Sequence, residues 1–169
     1  MPYKYILIVL AFYFISLIQN SFLSHFIVFG VTPNLLLALV CLNTFLDESQ
    51  SCSGLVSAIS AGAFLDILNG SFLGVSILAM LLVCLFIRKT LVYLIDFPIE
   101  YSILYFIPIL AISSVLYMFI VNLLFCLFSW SIFLSFNIWA ILGEVFLNVI
   151  LGVIGFYSFR IISRTKHGF

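Results

Sequence analysis

Residues 60–76 read SAGAFLDILNGSFLGVS and set one carboxylate, Asp66, in the midst of strongly apolar sequence. Three glycines surround it, Gly62, Gly70 and Gly74, each offset from it by a multiple of four residues. On a helix of 3.6 residues per turn a four-residue step advances only about 40° around the axis, so residues at that spacing form a narrow stripe. Upstream the stripe continues through Ala58 to Gly54, with Ser57 and Ala61 beside it. Such a nearly flat, small-xxx-small surface lets helix backbones approach closely in lipid. The stretch therefore predicts a helix that packs through Gly54, Ala58 and Gly62 and turns Asp66 into the protein. Asn69-Gly70-Ser71 makes the turn that follows, and Gly74 is expected to form a second close contact at the start of the next helix.

The rest of the chain explains why lipid is the relevant solvent. Of its 169 residues 66% are hydrophobic and 7% charged, against about 25% charged in ordinary soluble domains, and the mean hydropathy is +1.39. Apolar runs of membrane-crossing length recur throughout, leaving no polar region large enough for a separate domain. Residues 1–169 are read as a single polytopic transmembrane domain. Stretches such as ILIVLAFYFISLI are apolar on all sides, which suits helices and not the alternating strands of a barrel. The first segment is long, has no A-x-A-like exit and follows only Lys4, so it is expected to be a retained helix and not a signal peptide. Cys41, Cys52, Cys84 and Cys126 show no C-x-x-C spacing and read as small buried residues, and His25 and His167 stand in no ligand pattern. No metal and no cofactor is called for.

Breaks in hydropathy delimit six segments, at about 5–24, 33–46, 53–68, 72–94, 101–128 and 137–160. The apolar stretch 26–31 is expected to extend the second helix, with Pro33 kinking it. The six Lys and Arg residues fall at Lys4, at Arg88-Lys89 and at Arg160, Arg164 and Lys166. Since basic residues near helix ends mark the cytoplasmic side, six crossings with both termini in the cytoplasm gather all of them inside. Five would strand the basic C-terminus outside.

This topology puts Asp66 near the outer end of the third helix. Glu144 stands a few residues in from the outer end of the sixth, on one face with Asn148 and Gly152. A charge at the bilayer centre costs roughly 2.5–3.5 kcal/mol on insertion scales, and no Lys or Arg is expected in a helix beside either acid. Desolvation then favours the uncharged form, and both acids are expected to act as neutral hydrogen-bond donors in an outer polar cluster with Asn34, Gln19 and Asn20. Exchange of Asp66 for Asn should then be mild.

The runs FGVTPNLLLALV (29–40) and AGAFLDILNGSFLGVSIL (61–78) resemble the bacterial rod shape-determining protein MreD. That family shows Pro-Asp before a leucine run, then Gly-x-x-x-Asp, a glycine near the turn and a Leu-Gly shortly after. The matching positions are Pro33, Gly62, Asp66, Gly70 and Leu73-Gly74, with Asn34 where the family usually has Asp. The resemblance implies six transmembrane helices with a fold similar to the S components of energy-coupling-factor transporters, and a location in the bacterial cytoplasmic (inner) membrane. It implies a non-enzymatic adaptor of the cell-elongation complex that binds MreC, alongside MreB, a SEDS glycosyltransferase and a penicillin-binding transpeptidase. Candidate structural or coupling residues are Pro33, Asn34, Gly62, Asp66, Gly70, Gly74, Glu144 and Asn148.

The alternative reading is an S component binding a vitamin in an outward pocket, which needs several convergent polar groups. An intramembrane protease fails on inventory: neither histidine falls in a helix core, and no aspartate pair is available, Asp96 lying in a cytoplasmic loop. No internal repeat of broken helices points to ion-coupled transport.

Overall fold

A computed structural model describes residues 3–22, 31–47, 52–94, 102–129 and 138–166. Both histidines lie outside these. The described residues form an all-helical fold of six helices, α1 (Tyr3–Ser21), α2 (Leu35–Leu46), α3 (Ser53–Leu68), α4 (Val75–Leu94), α5 (Ser102–Ser129) and α6 (Ile138–Lys166). Four of them, α1, α4, α5 and α6, are long and apolar enough to cross a membrane. The other two are short. At 1.5 Å per residue, the 12 residues of α2 and the 16 of α3 extend about 18 and 24 Å, less than the roughly 30 Å of a hydrocarbon core.

Side-chain pairings fix the direction of every helix. Thr44 Oγ1 meets Cys84 Sγ at 3.6 Å and Asp47 meets Arg88 at 3.3 Å, so α2 and α4 run parallel. Asn148 reaches Asn34, while Gly155 stands against Leu42, so α6 runs with them. Helix α1 runs with α3, as the Tyr13–Phe64 ring contact and the Asn20–Leu68 bond show. Asn148 with Ser114, and Phe156 with Phe106, set α5 antiparallel to α6 and hence to α4. The chain thus alternates up and down, and Lys4, Arg88, Lys89 and Arg160 lie toward one end of the bundle.

Helix α2 occupies the centre. Leu36, Leu37, Val40 and Cys41 are fully buried, and Ala38, Leu42 and Thr44 nearly so. A helix enclosed on all sides must be apolar all round. Around it pack Ala58 and Ala61 of α3, Met80, Val83, Cys84 and Ile87 of α4, and Phe106 and Leu110 of α5. Phe45, Phe106 and Phe156 form an aromatic cluster between α2, α5 and α6, with centroids 5.2–6.5 Å apart. Helix α1 is peripheral and buries only Phe12 and Ser16.

Three expectations change. Residues 32–34 are not helical, so Pro33 precedes α2 instead of kinking it, as its lack of an N–H and its effect on the preceding residue favour; residues 26–30 lie outside the described set. Helix α6 continues to Lys166, past the expected end at 160. Cys41 and Cys84 are buried as small apolar residues, but Cys52 is exposed and Cys126 only half-buried.

Candidate functional site

Asp66 closes the third helix and organises the start of the fourth. Its side chain is buried, 1% exposed. Oδ1 accepts from Ser71 Oγ at 3.0 Å and from the Ser76 backbone N–H at 2.9 Å, and Oδ2 accepts from the Gly74 N–H at 2.8 Å. The first N–H groups of a helix have no partner within it, and Asp66 supplies one across the α3–α4 turn, where a negative charge also suits the helix dipole. These partners all donate, so Asp66 acts as an acceptor and not as the donor expected from the sequence. Its partners are chiefly backbone amides, which a search for cationic side chains overlooks.

The glycines around Asp66 have two different jobs. Gly70 and Gly74 take φ of +61° and +107°, a region where glycine escapes the Cβ penalty. A Cβ at Gly74 would meet nothing within 4 Å, so Gly74 serves backbone conformation and not the close contact expected of it. Gly62 is the close contact: a Cβ there would lie 2.5 Å from Ile77 Cα and 2.7 Å from Ile77 N. Gly54 stands against Thr44 of α2, and Ala58 is fully buried. The small face thus packs on both α2 and α4.

A second polar cluster holds the start of α2. Asn34 Oδ1 accepts from the Leu37 N–H at 3.1 Å, and Gln19 Oε1 from the Leu36 N–H at 2.9 Å. The Asn34 N–H donates to Asn148 Oδ1 at 2.8 Å, and Asn148 Nδ2 donates to Ser114 Oγ at 3.3 Å. Asn34 is therefore an N-cap. Asn and Asp are nearly equal in that role, so the departure from the Pro-Asp pattern keeps the cap. Asn148 is fully buried and ties α2, α5 and α6 together through one amide.

Beside this cluster lies a cavity of about 200 Å³, lined by Gln19 and Asn20 of α1, Pro33 and Asn34 ahead of α2, Tyr117 of α5 and Glu144 of α6, among others. The structure thus joins Asn34, Gln19, Asn20 and Glu144 as the sequence suggested. It leaves Asp66 out of the lining, its oxygens being committed to the adjoining turn. Tyr117, whose hydroxyl donates to Ser76 Oγ at 3.5 Å, stands between the two and was not singled out by sequence reasoning. Its position, 41 residues from Ser76, carries no local signal. Glu144, Asn148 and Gly152 share the expected face, with Gly152 against Leu110 and Phe106.

At the opposite end, Asp47 Oδ2 accepts from the Gly54 N–H at 3.1 Å and pairs with Arg88 Nη2 at 3.3 Å. The Asp47 side chain is 5% exposed and that of Arg88 27%. This junction of α2, α3 and α4 mirrors the Asp66 junction: in each, a carboxylate at the end of one helix receives the first amides of the next. Sequence reasoning treated Arg88 only as a marker of sidedness.

No family model, curated protein or solved structure matches the chain.

Proposed function

We propose that the chain is a six-crossing, non-enzymatic membrane adaptor of the MreD type, in the bacterial cytoplasmic membrane with both termini inside. Its direct partner is MreC, within a complex that includes MreB, a SEDS glycosyltransferase and a penicillin-binding transpeptidase. The observation that carries the reading is the use made of the motif residues. Gly62, Asp66, Gly70 and Gly74 serve the joining of α3 to α4, and Pro33 stands just ahead of α2, a structural use of the motif that supports a scaffold role.

The alternation of helix directions supports six crossings, with the basic residues inside. If Asp47 and Arg88 mark the inner face, the Asn34 end of α2 lies about 20 Å above it and short of the outer face of a roughly 30 Å core. A helix that starts at that depth has no bulk water for its amides, which accounts for the caps from Asn34 and Gln19. Action through surfaces follows: long apolar flanks on α1, α5 and α6 face outward, Leu7, Phe14, Leu104 and Phe146 among them.

The cavity favours one other reading, an S component of a vitamin transporter. Its volume of about 200 Å³ falls below the 300–1,000 Å³ or so of drug-sized ligand sites, and the carbonyl oxygens of Gln19 and Asn34 already hold α2. Co-expression with MreC and affinity purification in mild detergent test the proposal. Stoichiometric co-elution supports the adaptor. A chain that elutes without MreC and retains a vitamin transfers the assignment to the S component.

A further inference from the structure

Among the described residues Glu144 is the one acid that lines the cavity, and its surroundings are one-sided. It is half-buried, and among the described residues its carboxylate has no hydrogen bond or ion pair. Among the described residues the cations are at the other end: Lys4, Arg88, Lys89 and Arg160 all lie toward the Asp47 end of the bundle. A carboxylate partly withdrawn from water with no partner among the described residues carries a desolvation cost, which a cationic occupant of the cavity would offset.

The other lining groups narrow the chemistry. Gln19 and Asn34 have spent their carbonyl oxygens on the Leu36 and Leu37 amides, so what they offer the cavity is N–H donors, the NH2 of Gln19 and the part of the Asn34 NH2 not engaged with Tyr117. Tyr117 and Ser16 have donated their hydroxyl protons to Ser76 and to the Tyr13 carbonyl, and retain lone pairs. The cavity therefore presents a carboxylate acceptor on α6 and amide donors on α1 and ahead of α2. A bare metal ion would use the first and waste the second. A short amine with an oxygen acceptor one or two carbons away would use both. At about 30 Å³ per water, 200 Å³ corresponds to roughly six or seven waters, room for a handful of heavy atoms.

We infer that the cavity binds an ethanolamine-type group, its ammonium on Glu144 and its oxygen toward the Gln19 and Asn34 amides. Two sources carry that group, a free amino alcohol and the headgroup of phosphatidylethanolamine. The site is independent of MreC binding and stands or falls separately from the adaptor reading.

The test measures ligand-dependent thermal stability, since an occupant of the folded state raises the midpoint. In one arm ethanolamine hydrochloride is titrated into the protein in detergent, with methylammonium and ethylene glycol as probes lacking the oxygen or the charge. In the other, nanodiscs of phosphatidylethanolamine are compared with nanodiscs of phosphatidylglycerol. Glu144→Gln removes the charge from a side chain with no bond to lose, so the unliganded variant should fold as wild type does, and Glu144→Asp provides a charged control. Ethanolamine should stabilise wild type more than either lesser probe, with affinity reduced about tenfold or more in Glu144→Gln, the scale of one charge-assisted hydrogen bond. That result in detergent identifies the free amine, and the same difference confined to phosphatidylethanolamine nanodiscs identifies the headgroup. Equal responses of wild type and Glu144→Gln in both arms overturn the proposal.

Discussion

Replacement of Asp66 by Asn changes one oxygen to an NH2 and removes the charge, and the geometry sets the cost. In the better orientation the amide oxygen keeps the place of Oδ1 and its bonds from Ser71 and Ser76. The NH2 then takes the place of Oδ2 and opposes the Gly74 N–H, at present 2.8 Å away. One charge-assisted bond worth about 1.5–3 kcal/mol is lost, and a partly buried N–H is left facing another donor; together these cost about 2–4 kcal/mol. In the other orientation the amide oxygen keeps the Gly74 bond, the Ser71 hydroxyl can accept from the NH2, and the Ser76 N–H is the group left facing a donor. Because the damage is local to the start of α4, amide hydrogen exchange is the direct readout. If opening there is local, exchange at Gly74 and Ser76 should accelerate by about 30- to 700-fold, with the inner half of α4 much less affected. Exchange within about threefold of wild type, at unchanged thermal stability, would refute the acceptor role and restore the mild outcome that the sequence alone suggested.

Gly62→Ala should separate α3 from α4, because its Cβ meets backbone and not a movable side chain; a loss of about 1–3 kcal/mol is expected, and Gly62→Leu should accumulate poorly in membranes. Asn148→Leu leaves the Asn34 N–H without its acceptor and should cost about 1–3 kcal/mol in detergent unfolding, with wild-type stability as the contrary result. A double-mutant cycle over Asp47→Asn and Arg88→Gln should give a coupling of about 0.5–1.5 kcal/mol, held down by the partial exposure of Arg88. No measurable coupling would make the pair a surface coincidence.

Much of the α3–α4 unit was legible, because in lipid small residues at four-residue spacing have few uses besides close packing. Gly62 and Gly70 behave as their positions suggested. The central place of α2 was not legible: LLLALVCLNTFL is apolar all round, and in a membrane the same pattern serves a lipid-facing helix. The role of Asp66 was misread for a different reason. A carboxylate remote from Lys and Arg was assigned a proton, whereas two of its partners are main-chain N–H groups that every sequence contains and none advertises. The Asn34–Asn148 bond, across 114 positions, is also outside the reach of spacing arguments, although both asparagines drew attention as polar residues in apolar surroundings.

The placement of the cavity on the outer side, and of the Asp47–Arg88 junction on the inner, depends on a chain that crosses six times although α2 and α3 are shorter than a bilayer core. Single cysteines at Ser131, between α5 and α6, and at Ser163, near the end of α6, test this in intact cells, on a background in which Cys41, Cys52, Cys84 and Cys126 are replaced by Ala or Ser. A membrane-impermeant maleimide should label the cysteine at 131 from outside and leave that at 163 unlabelled until the cells are opened. Labelling at 163 in intact cells, with 131 protected, would contradict the orientation and with it the outward-facing cavity.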